Sequence, residues 1–215
     1  MPGQNRKQTD LQAKLQGKVG DCIIMKNVIC PETAPETLTA DEKWKRAEIH
    51  RAEIISEEEK KVPGSVRFYP MSIDDYEEVY RLWKQIRGFG IRSIDDSRAG
   101  VDRFLRRNPG LSVVAENERG EIVGAILCGE DGRTGCLYHV CVRSDYRKEG
   151  IGSAMVARCM YALKERGINK ISLIAFTDND IGNAFWNRIG WTKRSDVNSY
   201  DFILNDENIT RFVGK

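Results

Sequence analysis

The 215-residue sequence lacks long hydrophobic runs and carries little net charge. Its longest apolar stretches, such as residues 122–128, fall far short of the ~18 residues that a membrane-spanning helix needs. The 34 lysines and arginines nearly balance 32 aspartates and glutamates, so no overall field favours nucleic acid or an anionic membrane. We therefore expect neither a membrane nor a nucleic acid as a partner.

The sequence also contains no Cys-x-x-Cys pair, and we expect no signal peptide. None of the six cysteines belongs to a Cys-x-x-Cys pair, and several lie inside apolar runs, where buried free thiols are common. Residues 1–6 contain no apolar signal core. These features predict a reduced, cytoplasmic, soluble protein, and no metal site is expected.

The composition differs between the beginning of the chain and the rest. Residues 1–64 contain 11 basic and 11 acidic side chains and few large apolar ones. A capping box at Thr39–Glu42 and an apolar stripe that includes Trp44 predict an amphipathic helix near residues 40–61. We predict a partly disordered N-terminal extension over 1–64, followed by one domain over 65–215.

The second segment alternates between strand and helix patterns. The predicted elements are a strand at 65–69, helices that begin near Ser72 and Ser93, strands at 111–116, 121–128 and 135–142, a helix at 151–166, a strand at 170–176, a helix at 180–188 and two short strands within 191–204. Because hairpin-type turns join the three central strands, the pattern does not fit a Rossmann repeat. We predict an α/β fold (α+β mixed) with a mostly antiparallel mixed sheet of six to seven strands, flanked by about four helices.

The most informative motif is Asp-Tyr-Arg-Lys-Glu-Gly-Ile-Gly-Ser at residues 145–153, between a predicted strand and a predicted helix. Gly150 and Gly152 allow a tight turn and a close approach of a ligand to the backbone. The nearby amides then point outward at the positive end of the helix, and Arg147 and Lys148 add full charges. The motif suits a diphosphate, although a glycine-rich turn that only starts a helix explains it equally well by itself.

Two motifs in this segment carry a resemblance to a known family. Arg147-x-x-Gly150-x-Gly152 resembles the Arg/Gln-x-x-Gly-x-Gly/Ala signature of the GCN5-related N-acetyltransferase (GNAT) superfamily, nearest to its ribosomal-protein-acetyltransferase-like branch. Residues 179–191 resemble that family's Asn-x-x-Ala-x-x-Phe-Tyr-x-x-x-Gly-Phe stretch. The two motifs occur in the expected order on matching elements, and the resemblance covers about residues 65–205.

The resemblance implies that acetyl-CoA binds to this segment as co-substrate. In the family, the strand of the first motif splays from its neighbour, and its main-chain groups hydrogen-bond the pantetheine arm. The diphosphate lies on the amides of the glycine loop, and the first asparagine of the second motif contacts the coenzyme near its thioester. The residues that we expect to bind the coenzyme are Val140, Val142, Arg147, Lys148, Gly150, Ile151, Gly152, Ser153, Asn179 and Asn183.

The resemblance also implies the reaction, which is N-acetylation of a primary amine on a small molecule, a protein or a peptide. In the family, a neutral amine attacks the thioester carbonyl directly in a ternary complex, with a base, oxyanion donors and an acid. The positions at which the family usually carries its acid and base are occupied here by Trp186, Cys136 and Ile174. Trp186 has no ionisable proton at neutral pH, so the family motifs do not assign the acid and base here.

Tyr138 and His139 remain as candidate catalytic residues. Strand alternation gives Tyr138 the same parity as Cys136 and Val140, so it serves either as a donor near the thioester or as a core tyrosine. His139 is a natural base at neutral pH, but alternation sends it to the opposite face. For His139 the sequence therefore favours a hydrogen-bonded core histidine.

Two other functions stay open at this point. The missing acid and base positions allow a non-catalytic CoA-binding sensor or regulatory module. The amphipathic helix near residues 40–61 allows an interaction protein that acts through its N-terminal arm. The sequence also leaves a homodimer open, and nothing in it selects among amine acceptors.

Overall fold

The computed structural model describes residues 60–214. Its strands are β1 (Arg67–Pro70), β2 (Gly90–Arg92), β3 (Val113–Glu116), β4 (Ile122–Glu130), β5 (Gly135–Val142), β6 (Ile171–Ser172) and β7 (Thr210–Phe212), and its helices are α1 (Tyr76–Trp83), α2 (Arg98–Arg107), α3 (Ile151–Glu165) and α4 (Asp180–Arg188). Within this range no helix has the length and apolar character needed to cross a membrane. The predicted extension over 1–64, with its helix near 40–61, lies outside the described residues except for 60–64.

Five strands form the main sheet in the order β1-β3-β4-β5-β6. The first four neighbour one another antiparallel, whereas β6 runs parallel to β5. Strands β2 and β7 pair antiparallel in a separate two-stranded ribbon. The predicted fold class, a mixed and mostly antiparallel sheet with four helices, is confirmed.

Short polar side chains hold the turns of the two central hairpins. In the β3–β4 turn, Oδ1 of Asn117 accepts hydrogen bonds from the amides of Arg119 and Glu121, both at 3.0 Å. In the β4–β5 turn, Oδ1 of Asp131 accepts a hydrogen bond from the amide of Thr134 at 2.7 Å. Asn and Asp favour such turns because they bond their own backbone a few residues on. These turns bring β3, β4 and β5 side by side.

Helices cover both faces of the sheet. On one face, the β4 side chains Val123 and Ile126 pack with Met155 and Leu163 of α3. The cluster on the other face joins β4 to α1 and α2, and it includes Ala125, Leu127, Val79, Trp83 and Val101. Burial on both faces explains why β4 is apolar almost throughout, without the alternation of a half-exposed strand.

Two sequence predictions about the last third of the chain are wrong. Residues 191–204 contain no paired strand, and most of their side chains are exposed. The predicted strand at 170–176 is reduced to β6, because only Gly135 and Cys136 pair with it. Apolar alternation does not reveal whether a neighbouring backbone is available, and a strand requires one.

We predict that Met155→Ala lowers the free energy of unfolding by about 2–5 kcal/mol, the usual effect of removing a large side chain from a packed core. Met155 is 0% exposed between α3 and the sheet. The matched control is Tyr161→Ala on the same helix, where the side chain is 67% exposed. Urea unfolding of both variants measures the difference, and equal effects would contradict this packing.

Candidate active site

Helix α3 begins at a left-handed glycine without a side-chain cap. The residue before the helix is Gly150, with φ +77°. Two positions earlier, Lys148 is also left-handed, with φ +69°. The amides of the first turn of a helix have no acceptor within the helix, and they face the positive end of its dipole. The exposed side chains of Arg147 and Lys148 stand beside this turn. This backbone geometry is the one that an anion site needs.

Gly152 lies where β5, α3 and α4 meet. A Cβ atom at this position would lie 3.3 Å from two ring carbons of Phe185 on α4 and 3.7 Å from a methyl carbon of Val142 on β5. The neighbouring residue, Ser153, is buried. The absence of a side chain at Gly152 therefore lets α4 approach the start of α3 closely.

Strands β5 and β6 separate soon after they meet. They pair only at Gly135 with Ile171 and at Cys136 with Ser172. In the described part of the chain, residues 137–142 thus have β4 on one side and no paired strand on the other. The predicted splay is present. The carbonyl of Val142 accepts a hydrogen bond from Nε of Arg147 at 3.0 Å.

Strand β5 contains a bulge at its centre. Its register with β4 shifts between Ala125 and Leu127, so that His139 and Val140 together stand opposite a single β4 residue. His139 has φ +49°, a left-handed value that is uncommon outside glycine. Such a bulge adds one residue to one strand and changes which face the following side chains take.

The bulge overturns the predicted parity of Tyr138, His139 and Val140. The Tyr138 ring lies 5.7 Å from the ring of Phe104 on α2, and the His139 ring lies 4.6 Å from the ring of Trp83 on α1. Val140 packs instead with the cluster around α3. Tyr138 and His139 therefore share a face, contrary to simple alternation, because one extra residue intervenes before Val140.

His139 forms a short contact with a buried carboxylate. Its Nε2 atom lies 2.7 Å from Oδ1 of Asp96, whose side chain is 6% exposed. The second carboxylate oxygen, Oδ2, accepts a hydrogen bond from the amide of Arg92 at 2.6 Å. The hydroxyl of Tyr76 donates to the Asp96 carbonyl at 2.9 Å, and the ring of Phe89 lies 5.0 Å from the imidazole. The imidazole and the carboxylate are thus held by α1, by the segment before α2 and by β2.

Sequence reasoning did not identify Asp96 as a site residue. The stretch Ser93–Ser97 predicts the start of a helix, and Ser97 does cap α2 by accepting a hydrogen bond from the Gly100 amide at 3.1 Å. A buried aspartate next to a capping serine has no distinct sequence signal. The tertiary contact with His139 is what distinguishes Asp96 from the neighbouring, exposed Asp95.

Tyr138 and Cys136 interact near the point where β5 and β6 separate. About half of the Tyr138 surface is exposed (48%), yet partial burial raises the pKa of its hydroxyl to about 12, with a smaller contribution from a hydrogen bond to Cys136. Burial also raises the pKa of the Cys136 thiol. At neutral pH Tyr138 is therefore a neutral hydroxyl, and Cys136 is a poor nucleophile.

The two predicted asparagines hold the start of α4. Oδ1 of Asn179 accepts a hydrogen bond from the Gly182 amide at 3.0 Å, as an N-cap does. Nδ2 of Asn183 donates to the Phe176 carbonyl at 3.0 Å. Their predicted contacts with a coenzyme remain predictions.

The β2–β7 ribbon lies on the His139 side of the opening, which is the gap left where β5 and β6 separate. The amide of Val213 donates to the carbonyl of Phe89 at 2.9 Å, just before β2. On β7, the ring of Phe212 lies 5.7 Å from the ring of Phe176, which follows β6. The ribbon therefore contacts both the residues around His139 and the segment after β6, where the chain has separated from β5.

A separate surface cavity of about 370 Å³ lies between α1 and the β3–β4 turn. Its lining includes Arg81, Arg119 and Arg143, with Glu78 and Glu121 as the acidic members. Both carboxylates are engaged, since Glu121 pairs with the last two arginines and Glu78 accepts a hydrogen bond from a backbone amide of β4. None of the predicted site residues lines this cavity.

Comparisons with known proteins agree with this geometry. A model of the acetyltransferase (GNAT) family matches residues 76–191, and an acetyltransferase of Sodalis glossinidius (strain morsitans) is 36% identical over 124 residues, which are 58% of this chain and 85% of the relative. Ard1 from Thermoplasma volcanium has a similar fold at a TM-score of 0.51 and 22% identity, over 59% of this chain and 82% of that one. AAC(6')-Iy in complex with a bisubstrate analog gives a TM-score of 0.53 at 15% identity, over 64% and 98%. The family match spans more than half of the sequence and contains the bulge, the glycine loop and α4, so the chain belongs to the GNAT acetyltransferase family.

Proposed function

We propose that this protein is an acetyl-CoA-dependent N-acetyltransferase that transfers an acetyl group to a primary amine of a small molecule, a protein or a peptide. The observation that carries this proposal is the continuity between the open side of β5 and the uncapped start of α3. An extended pantetheine arm needs main-chain partners, and a diphosphate needs clustered amides. Both lie along one path here, from residue 137 to residue 153.

The residues along this path fit the coenzyme in two parts. Val140 and Val142 lie on the part of β5 that no longer pairs with β6. Their main-chain groups are proposed to hydrogen-bond the pantetheine arm, which would pair with β5 as an added strand does. The amides from Lys148 to Ser153 and the charge of Arg147 suit the diphosphate. Nε of Arg147 donates a hydrogen bond to the Val142 carbonyl, which the pantetheine arm would also need. The Arg147 guanidinium is therefore expected to move toward the diphosphate when the pantetheine arm binds.

The coenzyme supplies an activated acetyl thioester, and the protein places an amine beside it. The neutral amine nitrogen forms a bond to the acetyl carbon, and the carbon–sulfur bond breaks with its electron pair on sulfur. The nitrogen loses one proton and the sulfur gains one. Holding the two substrates together in one ternary complex supplies much of the rate, because it removes the entropic cost of their encounter.

Tyr138 is proposed as a hydrogen-bond donor on the amine side of this reaction. Its raised pKa keeps the hydroxyl protonated, so the residue donates to developing negative charge and does not remove a proton. Its ring packs edge-on against Phe104, which fixes its direction. Asn179 and Asn183 are proposed to act at the start of α4, where the family carries a coenzyme contact.

Substitution of Gly150 by aspartate is expected to weaken CoA binding by at least tenfold and to abolish turnover. The new carboxylate would lie against the diphosphate, and an L-residue would occupy a position with φ +77°. Calorimetry with CoA measures binding, and thiol release from acetyl-CoA with a panel of amines and peptides measures turnover. Gly152→Asp is expected to act in the same direction, because its side chain would also displace Phe185.

The matched control is Gly120→Asp in the β3–β4 turn. Gly120 has φ +76°, and a Cβ there would meet nothing within 4 Å, so the control reproduces the charge and the backbone strain away from the loop. It is expected to bind CoA and to turn over like the unsubstituted protein. Tight CoA binding without turnover of any acceptor would favour a CoA-sensing module, and a protein that does not bind CoA at all would overturn the proposal.

The Tyr138 hydroxyl is expected to remain protonated at pH 11, one pH unit below its pKa of about 12. Tyr138→Phe should therefore remove little of the tyrosinate absorbance at 295 nm that the folded protein shows at this pH. In urea the ordinary pKa of about 10 returns, and the variant should then lack the absorbance of one tyrosinate. A loss of that size in the folded protein at pH 11 would contradict the raised pKa.

A further inference from the structure

We propose that His139 is the general base of this reaction, that Nδ1 is the atom that accepts the proton, and that Asp96 is the positioning residue that leaves Nδ1 available. This inference rests on the proposed acetyltransferase function. It is independent of the coenzyme loop, since neither residue belongs to the glycine motif.

The hydrogen bonds around the imidazole determine which nitrogen carries its proton. An ionised carboxylate only accepts hydrogen bonds, and that of Asp96 accepts from the Arg92 amide through Oδ2. Its Oδ1 atom lies 2.7 Å from Nε2 of His139, so Nε2 is the donor in this pair. A neutral imidazole protonated on Nε2 has its lone pair on Nδ1. For residues 60–214, no hydrogen bond to Nδ1 is observed.

The surroundings fix the plane of the imidazole as well as its tautomer. The rings of Trp83 and Phe89 lie 4.6 Å and 5.0 Å from it. The side chain remains 17% exposed, so the pocket that holds the ring is not sealed. A base must be rigid enough to meet the amine and accessible enough to receive its proton.

The bulge brings His139 to the part of β5 where the acetyl group is expected. His139 comes three positions after Cys136, the last β5 residue that pairs with β6. It shares a face with Tyr138, while Val140 and Val142 pack toward α3. The amine side of the opening therefore presents an imidazole and a phenol together.

The backbone conformation of His139 also indicates that contacts with neighbouring residues hold the side chain in place. A non-glycine residue at φ +49° is strained, and such strain persists only where neighbouring contacts hold the residue in that conformation. Regular alternation would have turned the imidazole toward α3 and away from Asp96. The strained residue is the one that makes the Asp96 contact.

The proton balance of the step is complete with these groups. As the amine nitrogen bonds to the acetyl carbon, Nδ1 takes one proton from that nitrogen, and the imidazolium is stabilised by the Asp96 carboxylate. The carbon–sulfur bond breaks, and the sulfur takes a proton from solvent. The imidazolium then returns its proton to solvent. Two other titratable residues contact Asp96, since the Tyr76 hydroxyl donates to its carbonyl and the Arg92 backbone amide donates to its carboxylate.

The first arm of the test replaces each member of the pair. His139→Asn removes the base but keeps a residue type that tolerates positive φ. Asp96→Asn keeps the hydrogen bond from Arg92 and presents an amide donor to Nε2, which forces the proton onto Nδ1. Both are expected to lower kcat by about 10²–10⁴-fold, the usual range for general base catalysis, while the Kd for CoA stays unchanged. Asp102→Asn on the outer surface of α2, where Asp102 pairs with Arg106, is the matched control and should keep full kcat.

The second arm uses the protein without substrates. Nitrogen-15 NMR of labelled histidine should place the His139 proton on Nε2 in the unsubstituted protein and on Nδ1 in Asp96→Asn. A proton on Nδ1 in the unsubstituted protein, or full kcat in either variant, would overturn the inference and leave the acetyltransferase proposal intact. An unsubstituted protein that binds no CoA or acetylates no amine would instead overturn the acetyltransferase function itself, and with it this role for His139. If His139→Asn fails to fold, the kcat of Asp96→Asn and the NMR assignment still test whether His139 is the base.

Discussion

The pairing of β4 with β5 is the contact on which the rest of the site depends. Strand β4 is buried on both faces, so its register with β5 determines which side chains reach α3 and which reach α1 and α2. A shift of one residue along a whole strand would send every side chain to the wrong face. In this protein the register shifts at one bulge, so Leu137 and Val142 both pack with the cluster around α3 although they are five positions apart, and the His139 ring packs against Trp83 of α1.

Helix α3 connects that sheet to the glycine loop at residues 145–153. Its Met155 packs against β4, and Leu163 occupies the space that a side chain at Gly135 would need. The same helix begins at Gly150, where its amides face the loop. Core packing therefore positions the helix start that we propose binds the diphosphate, because α3 cannot move above the sheet without moving its own first turn.

The sequence predicted most of the sheet, the four helices and the glycine loop, because each has a local signal. Hairpin turns such as the one at Asn117 depend on neighbouring residues, and Gly150 lies in a motif with a recognisable spacing. The direction of His139 was predicted wrongly, since a bulge depends on the partner strand. Asp96 and β7 were not identified because their roles come from contacts with residues far away in the chain. The proposed domain boundary near residue 64 stays a prediction.

The β2–β7 ribbon joins parts of the chain that are widely separated in sequence. The hydrogen bond between the Ile209 amide and Oγ of Ser93 spans 116 positions, and each strand of the ribbon has three residues. So short a ladder, with β7 exposed along its length, opens at a lower free energy than the main sheet. Phe89 is tied to β7 through Val213, and its ring is one of the two that hold the imidazole. We therefore expect local unfolding of the ribbon to loosen the contact between Phe89 and His139 while the main sheet stays folded.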